Sequence, residues 1–386
     1  MRIKVKKEEL KDAISIAKRA LSKVVLQEER AHLLFTPKDS TLTVSATNND
    51  LRASSTISIV EHQDGDLSFT ADPKALEKLL VKIEHEDILL ELDPKDLVLK
   101  VYTSEDNESF TSVQSFPPDK MLRFENTAPI AVYSIDKEFL AYTLKWSVNY
   151  LTAMTEESKK YDFLVINENM AYSANGMNKM GYLACKMFKE FKNVKIRKMV
   201  IPVLHGILDV MKDEVVSFIE TEKYYAVESQ NKGIFFGFLK SSIETPKIKT
   251  DLIKADGKHI EVEKNKILKS LDRLVVTSKN LAGTGVQVSL SGLGDNSRLE
   301  LSLIGNLKCM EKLTVSKVAD DNDEAVTHIV GYKLFKSIMS SLDTEGTVKL
   351  FINDDAPFFK VYKPGMFKDQ KYLVVGVGSY SRVVKQ

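Results

Sequence analysis

Six histidines and two cysteines are the side chains of this sequence best suited to hold a metal or act as nucleophiles. His32, His62, His85, His205, His259 and His328 are scattered. None stands three or four residues from another, the spacing that lets two imidazoles on one helix face share a zinc ion. His62 and His85 sit in acidic stretches and read as solvated; His205 reads as an exposed helix residue. Cys185 lies in the apolar run Leu183–Phe188 and Cys309 at a loop–strand border, so both read as idle thiols. Gly283-Thr284-Gly285 and Gly292-Leu293-Gly294 look like phosphate loops in composition. Neither leaves a strand to open a helix, and no Gly-Lys-Ser/Thr exists, so they read as hairpin turns. Asp320-Asp321-Asn322-Asp323-Glu324 starts like a calcium loop but lacks the glycine at the sixth position and the closing glutamate. Trp146, with Tyr142 at helical spacing, reads as core. No catalytic constellation is legible, and no metal or cofactor is expected.

The pattern that organises the chain is a repeat. A short strand, Ile3–Val5, precedes a helical stripe of Leu10, Ile14, Ala17 and Leu21, then extended runs at Ala31–Phe35, Thr41–Ala46 and Ala53–Val60. The order restarts at Leu67–Thr70, with Asp72-Pro73 as N-cap and first helical residue before Leu76, Leu79, Leu80 and Ile83. It restarts again at Ala131–Ile135, where Asp136 caps a helix with Leu140, Leu144 and Val148 inward. Lys195–Lys198, His259–Val262 and Val326–Val330 open the remaining units. Helices are predicted to begin near residues 7, 73, 136, 199, 263 and 331. One such unit buries only one sheet face. Paired units make domains of ordinary size, placed at 1–125, 128–250 and 256–386. The fold class is therefore α+β, three similar domains of two β-α-β-β-β units each.

The 386 residues carry 55 Lys and Arg against 54 Asp and Glu, which argues against a uniformly basic coat or an acidic disordered tail. The near-neutral total hides an asymmetry. The six helical segments hold 23 basic and 14 acidic residues, leaving 32 and 40 elsewhere. If the helices share one side, that side is positive, which suits sequence-independent phosphate contact. No apolar run approaches the roughly 18 residues of a membrane span, and Met1–Lys7 lacks a signal peptide's apolar core. A cytoplasmic protein with reduced thiols and no membrane partner is expected.

Several segments carry a resemblance. They are Met1-Arg2-Ile3-Lys4-Val5-Lys6-Lys7-Glu8-Glu9-Leu10, Ala20-Leu21-Ser22-Lys23, and Thr41-Leu42-Thr43-Val44-Ser45-Ala46-Thr47-Asn48-Asn49-Asp50-Leu51. Tyr150-Leu151-Thr152-Ala153-Met154, Ala174-Asn175-Gly176 and Tyr372-Leu373-Val374-Val375-Gly376-Val377 add weaker matches. Together with the six units, they resemble the bacterial-type DNA polymerase processivity clamps, the beta sliding clamps. Two departures mark a divergent member and leave a phage origin open. Gly376-Val377-Gly378 replaces the family's terminal Met-Pro-Met, with the chain running on to Gln386, and Met177-Asn178 displaces a basic residue.

The resemblance implies a head-to-tail homodimeric ring that encircles double-stranded DNA, with sheets outside and twelve helices of about 18 Å lining the hole. Phosphate contacts would come from Lys11, Lys18, Arg19, Lys23, Lys78, Lys82, Lys145, Asn149, Tyr150, Lys198, Lys269, Arg273 and Lys336. The dimer contact would join Phe110 to Val275 and Val276. The protein partners would be a DNA polymerase and a clamp loader. They would dock a peptide into an apolar cleft around Leu151, Gly176, Met177, Pro246, Val374, Val375 and Val377. The competing reading is a repeat-built protein-interaction scaffold that binds no nucleic acid.

Overall fold

In the computed structural model of the chain, the described residues are 1–21, 31–63, 65–121, 127–151, 162–175, 179–231, 233–245, 258–276, 285–291, 298–304, 310–315, 326–342, 346–352, 358–368, 370–379 and 381–382. The helices are α1 (Lys7–Ala17), α2 (Pro73–Lys82), α3 (Lys137–Val148), α4 (Ile201–Val210), α5 (Lys264–Val275) and α6 (Tyr332–Ser341). Each starts within two residues of its predicted position. Local chemistry explains the starts. Asp72 accepts a hydrogen bond from the Lys74 amide at 2.9 Å, with Pro73 as first helical residue. Asp136 accepts one from the Phe139 amide at 3.0 Å. Apolar stripes then turn inward: Leu10, Ile14 and Ala17 on α1, Leu76 and Leu80 on α2, Ile267, Leu271 and Leu274 on α5. Three stripe residues differ from expectation, among them Leu79 of α2, which is half-buried. Leu21 lies past the end of α1 and is only half-buried. Val148 is 43% exposed, because Ser147, fully buried, takes the inward place by donating to the Leu144 carbonyl.

The chain forms two compact units, Met1–Ala141 with Pro202–Ser241, and Tyr142–Ile201 with Ser242–Gln386. The strands of the first are β1 (Arg2–Lys6), β2 (Leu33–Lys38), β3 (Thr41–Thr47), β4 (Leu51–Gln63), β5 (Phe69–Ala71), β6 (Asp87–Asp93), β7 (Val98–Tyr102), β8 (Phe110–Gln114), β9 (Pro129–Asp136), β14 (Val215–Thr221), β15 (Tyr224–Ser229) and β16 (Ile234–Leu239). They make one antiparallel sheet in the order β8-β7-β6-β1-β4-β16-β15-β14-β9, with β3, β2 and β5 branching from β4. The length of β4 allows this. Leu51–Ser55 pair with β16, while Ile59–Gln63 pair with β1.

In the second unit, β10 (Phe163–Asn167), β11 (Met170–Asn175), β12 (Lys179–Cys185), β13 (Val194–Arg197), β17 (Lys258–Glu263), β22 (Thr347–Ile352), β23 (Phe358–Phe367) and β24 (Gln370–Ser379) form an eight-stranded sheet. Its order is β13-β10-β11-β12-β24-β23-β22-β17. A smaller sheet holds β18 (Gly285–Ser291), β19 (Arg298–Leu303), β20 (Met310–Thr314), β21 (Val326–Gly331) and β25 (Ser381–Arg382). The last strand was not expected. The chain leaves β24 and adds Ser381 and Arg382 to the edge of β21.

One tie recurs three times. Lys7, the first residue of α1, donates from Nζ to the Ile83 carbonyl just past α2, at 3.1 Å. Lys137, the first residue of α3, donates to the Met211 carbonyl past α4, at 2.8 Å. Lys264, the first residue of α5, donates to the Leu342 carbonyl past α6. The same three residues also donate their amides, to Glu86, Glu214 and Gly346. A helix end leaves carbonyls unsatisfied and carries partial negative charge, so an ammonium there meets both needs.

The core of the second unit closes around Tyr150. Its ring lies on Gly181 of β12, where an added Cβ would stand 2.5 Å from the ring. Its hydroxyl reaches Ser341 of α6 beside Gly376 of β24. A Cβ on Gly376 would stand 2.9 Å from that hydroxyl and 2.6 Å from Ile338. Gly376→Ala is therefore expected to destabilise the fold by about 1–3 kcal/mol in denaturant melts. Gly331→Ala, whose Cβ would meet nothing closer than 3.8 Å, should change stability by less than about 1 kcal/mol.

Candidate nucleic-acid interface

The expected phosphate-binding side chains fall into three groups. Lys78 and Lys82 of α2, Lys145 of α3 and Lys269 of α5 are exposed, with no ion pair among the described residues. Asn149, just past α3, is also exposed. Lys11 is half-buried and 3.0 Å from Glu8 on its own helix, a local pair of little energetic weight. The second group is engaged between elements. Lys18 pairs with Glu77, joining the end of α1 to α2. Lys336 of α6 pairs with Asp272 of α5. Arg273 of α5 holds Glu311 of β20 with both Nε and a terminal nitrogen, at 2.9 and 2.6 Å. That bond keeps the Glu311 carboxyl below the usual carboxylate range. The Arg19 guanidinium packs onto Gly206 of α4, filling the space a side chain there would need. Lys198 is half-buried near Asp162, whose carboxyl is pushed up by burial despite Lys198 and Arg197. Lys23 lies outside the described residues.

Tyr150 forms the third group alone and corrects an expectation. It is fully buried, so it packs the second unit rather than meeting DNA. Burial pushes its hydroxyl far above the ordinary phenol range. Above its ring, at 4.9 Å, lies the ammonium of Lys179. Lys179 also donates to the Asn149 carbonyl and, at 2.5 Å, to the Ser337 hydroxyl of α6. The residue is 7% exposed. Burial pulls its pKa down from 10.5 to about 8.

The apolar cleft is corrected in part. Val374, Val375 and Val377 are buried at 2%, 0% and 1% exposure, on a strand paired along both edges. Val375 and Val377 pack with Tyr182, Phe351 and Tyr362, so among the described residues these side chains belong to the core. Leu151 is 7% exposed, and Gly176, Met177 and Pro246 lie outside the described residues. The dimer candidates are better exposed. Phe110 is 48% exposed on the edge strand β8, with the Lys100 ammonium 5.2 Å from its ring. Val276 is 81% exposed just past α5, and Val275 is half-buried. A cavity of about 1080 Å³ opens beside β8, lined by Lys18, Arg19, Lys74, Lys78 and the stretch Thr111–Gln114.

Sequence reasoning missed Lys74 and Lys179. The count of helical charges included Lys74, but the choice of phosphate contacts passed over it; nothing local marks Lys179, because its partners come from the end of α3 and from α6. Of the other residues considered, His205 and His62 are half-buried rather than exposed, and both ring nitrogens of His62 lie 3.0 Å from backbone carbonyls, of Asp39 and Gly65. Cys185 and Trp146 are buried, and His205 pairs with Asp209 at 3.2 Å on its own helix. Cys309 and the glycine pair Gly292 and Gly294 lie outside the described residues. Among the described residues no three His, Cys, Asp or Glu side chains are grouped to hold a metal. No helix among them is long and apolar enough to cross a membrane.

The fold is that of the sliding clamps. The chain superposes on the DNA polymerase III subunit beta of Pseudomonas aeruginosa with a TM-score of 0.79 at 12% identity, covering 99% of this chain and 100% of that one. The DNA polymerase sliding clamp of Bacillus subtilis gives 0.79 at 15% identity over all of both chains. The DNA polymerase III beta subunit of Thermotoga maritima gives 0.73 at 15%, covering 99% of this chain and 100% of that one. No family model and no curated protein matches the sequence.

Lys179 gives a pH signature. Its folded pKa lies below its unfolded value, so between about pH 8 and 10.5 the unfolded chain binds more protons at this site. The full cost of burying the charge is present below pH 8 and is relieved as pH rises through that window. The unfolding free energy of wild type minus that of Lys179→Met should therefore increase from pH 7.5 to pH 10. A pH-independent difference would show that the ammonium is not desolvated.

Proposed function

We propose that this protein is a DNA sliding clamp, a non-enzymatic ring that encircles duplex DNA and tethers a DNA polymerase for processive replication. The observation that carries this reading is the fold. Six repeats build, over the whole chain, the architecture of solved DNA polymerase clamps at TM-scores of 0.73–0.79. The three lysine-to-carbonyl ties support a division into three two-unit domains, 1–125, 128–250 and 256–386, since each tie joins the two helices of one such pair.

Register within the repeats supports head-to-tail closure by a second copy. Arg19, Asn149 and Val276 each lie twelve residues after the first residue of α1, α3 and α5. Gly206, Ser337 and Lys78 each lie five residues into α4, α6 and α2. Arg19 meets Gly206, and the Asn149 carbonyl shares Lys179 with Ser337. The third pairing in this series is Val276 with Lys78 of a second copy. Lys78 lines the cavity beside β8, so the exposed Val276 and Phe110 have a common place to bury. The ring so formed presents twelve helices to its hole. Loose phosphate contacts there hold DNA without stalling movement along it. The protein partners are a DNA polymerase and a clamp loader, and the buried β24 valines are not the surface they touch.

Two measurements test this. Replacing Lys78, Lys82, Lys145 and Lys269 together with Glu should shorten retention on closed circular DNA. It should also flatten the salt dependence, by a slope of about 0.9 for each phosphate the protein no longer neutralises. Unchanged retention would remove these residues from the interface. Sedimentation of wild type should show a dimer at micromolar concentration. Phe110→Asp with Val276→Asp should give a folded monomer that loses circular DNA at once. A wild-type monomer insensitive to concentration and salt would count against the ring.

A further inference from the structure

Two helix ends are each tied to a following strand by a side-chain donor, with different chemistry. In the first, Asn48 donates from its side-chain amide to the Ala20 carbonyl at the end of the α1 segment, at 2.7 Å. Its side-chain oxygen accepts from the Asp50 and Leu51 amides at the head of β4. In the second, Lys179, the first residue of β12, donates to the Asn149 carbonyl, one position earlier in its repeat than Ala20 is in its own. A neutral side chain therefore suffices to tie the strand head to the helix end. What the lysine adds is reach. It continues past the α3 end to Ser337 of α6, across the face of Tyr150. No carboxylate among the described residues pairs with it, and burial disfavours its charged form. A charged group is buried here, whereas the tie to Ala20 is made by a neutral amide.

We propose that Lys179 is a positioning residue: it bridges the end of α3 to Ser337 of α6 and so fixes the spacing between Lys145 on α3 and Lys336 on α6. This rests on the clamp reading, in which those helices meet DNA phosphates, and it deepens that reading. Lys145 is exposed near the C-terminal end of α3. Lys336 immediately precedes Ser337, the bridged residue, and is tied to α5 through Asp272. One ammonium thus sets α3 against a helix pair that is already locked together.

The test uses the full-length chain with three versions of residue 179: Lys, Asn and Met. Lys179→Asn keeps a neutral amide donor for the Asn149 carbonyl, while losing the reach to Ser337. Spin labels at Val148→Cys and Ser340→Cys, in a background with Cys185→Ala and Cys309→Ser, report the α3–α6 distance without DNA. Retention on closed circular duplex is measured in parallel without labels. In Lys179→Asn the distance distribution should broaden or shift, and loss from DNA should be faster on the order of threefold or more. Thermal stability should stay closer to wild type than that of Lys179→Met. An unchanged distance distribution in Lys179→Asn would overturn the bridge. So would retention equal to wild type despite a changed distance, since spacing would then not matter for DNA. If wild type itself is not retained on circles, the clamp reading fails, while the label distances still decide whether the bridge exists.

Discussion

A lysine at the first position of one helix, donating to the carbonyl just past the end of another, is the constraint on which this architecture rests. It appears as Lys7 with Ile83, Lys137 with Met211 and Lys264 with Leu342. A short helix of 10–12 residues has little intrinsic stability, and its carbonyl end needs partners. Satisfying that end with the head of the neighbouring helix does two things. It closes a polar end that would otherwise be costly to bury, and it fixes the two helices head to tail at one point. The paired amide bonds to Glu86, Glu214 and Gly346 add a second point at the same place. The two bonds together hold the head of one helix against the end of its neighbour.

The pairs are then joined by seams that need no common chemistry. A guanidinium over Gly206 serves one, and a tyrosine sunk between Gly181 and Gly376 serves another. What is shared is a side chain just past a helix end, Arg19 after α1 and Tyr150 after α3, set against glycine. This explains how the fold persists at 12–15% identity to solved clamps. Backbone-directed ties depend on where a carbonyl lies rather than on which side chain follows it. Gly376 is a case in point. Its departure from the sequence pattern it resembles has a steric cause here, because Ile338 and the Tyr150 hydroxyl leave no room for a Cβ.

The repeat was legible because it is written in local terms. Helix periodicity, caps such as Asp72 and Asp136, and hairpin turns each span a few residues, and together they located all six helices. The site was less legible because its meaning is set by neighbours distant in sequence. Lys145 and Lys336 look alike in a charge tally, yet one is exposed and the other is bound to Asp272. Tyr150 sits two residues past α3, where a surface role is natural for a tyrosine. Its burial follows from two glycines 31 and 226 residues away. The valines of β24 alternate as any strand does, and only the pairing of β24 with both β12 and β23 makes them core. The strand at Ser381–Arg382 carries almost no signal, since two paired residues have no periodicity to detect.

The charge asymmetry of the helices therefore needs a finer reading than a net sum. Cations here do two jobs. Lys18, Lys336 and Arg273 join elements, and their charge is largely met by Glu77, Asp272 and Glu311, while Arg19 joins elements by packing against a helix. Lys78, Lys82, Lys145 and Lys269 point to solvent without a local counter-charge among the described residues. Only the second group adds appreciably to a field felt at a distance, because a paired charge is a dipole whose potential falls off faster than that of a free charge. Exposed charges separated by more than about 8–10 Å are further screened at physiological salt. Within either unit a field built this way is diffuse and shallow. On the clamp reading proposed above, that suits attraction of a phosphate backbone without a fixed grip. The ties supply rigidity, and the unpaired lysines supply the field, so the two demands on one residue type are met by different positions in the same repeat.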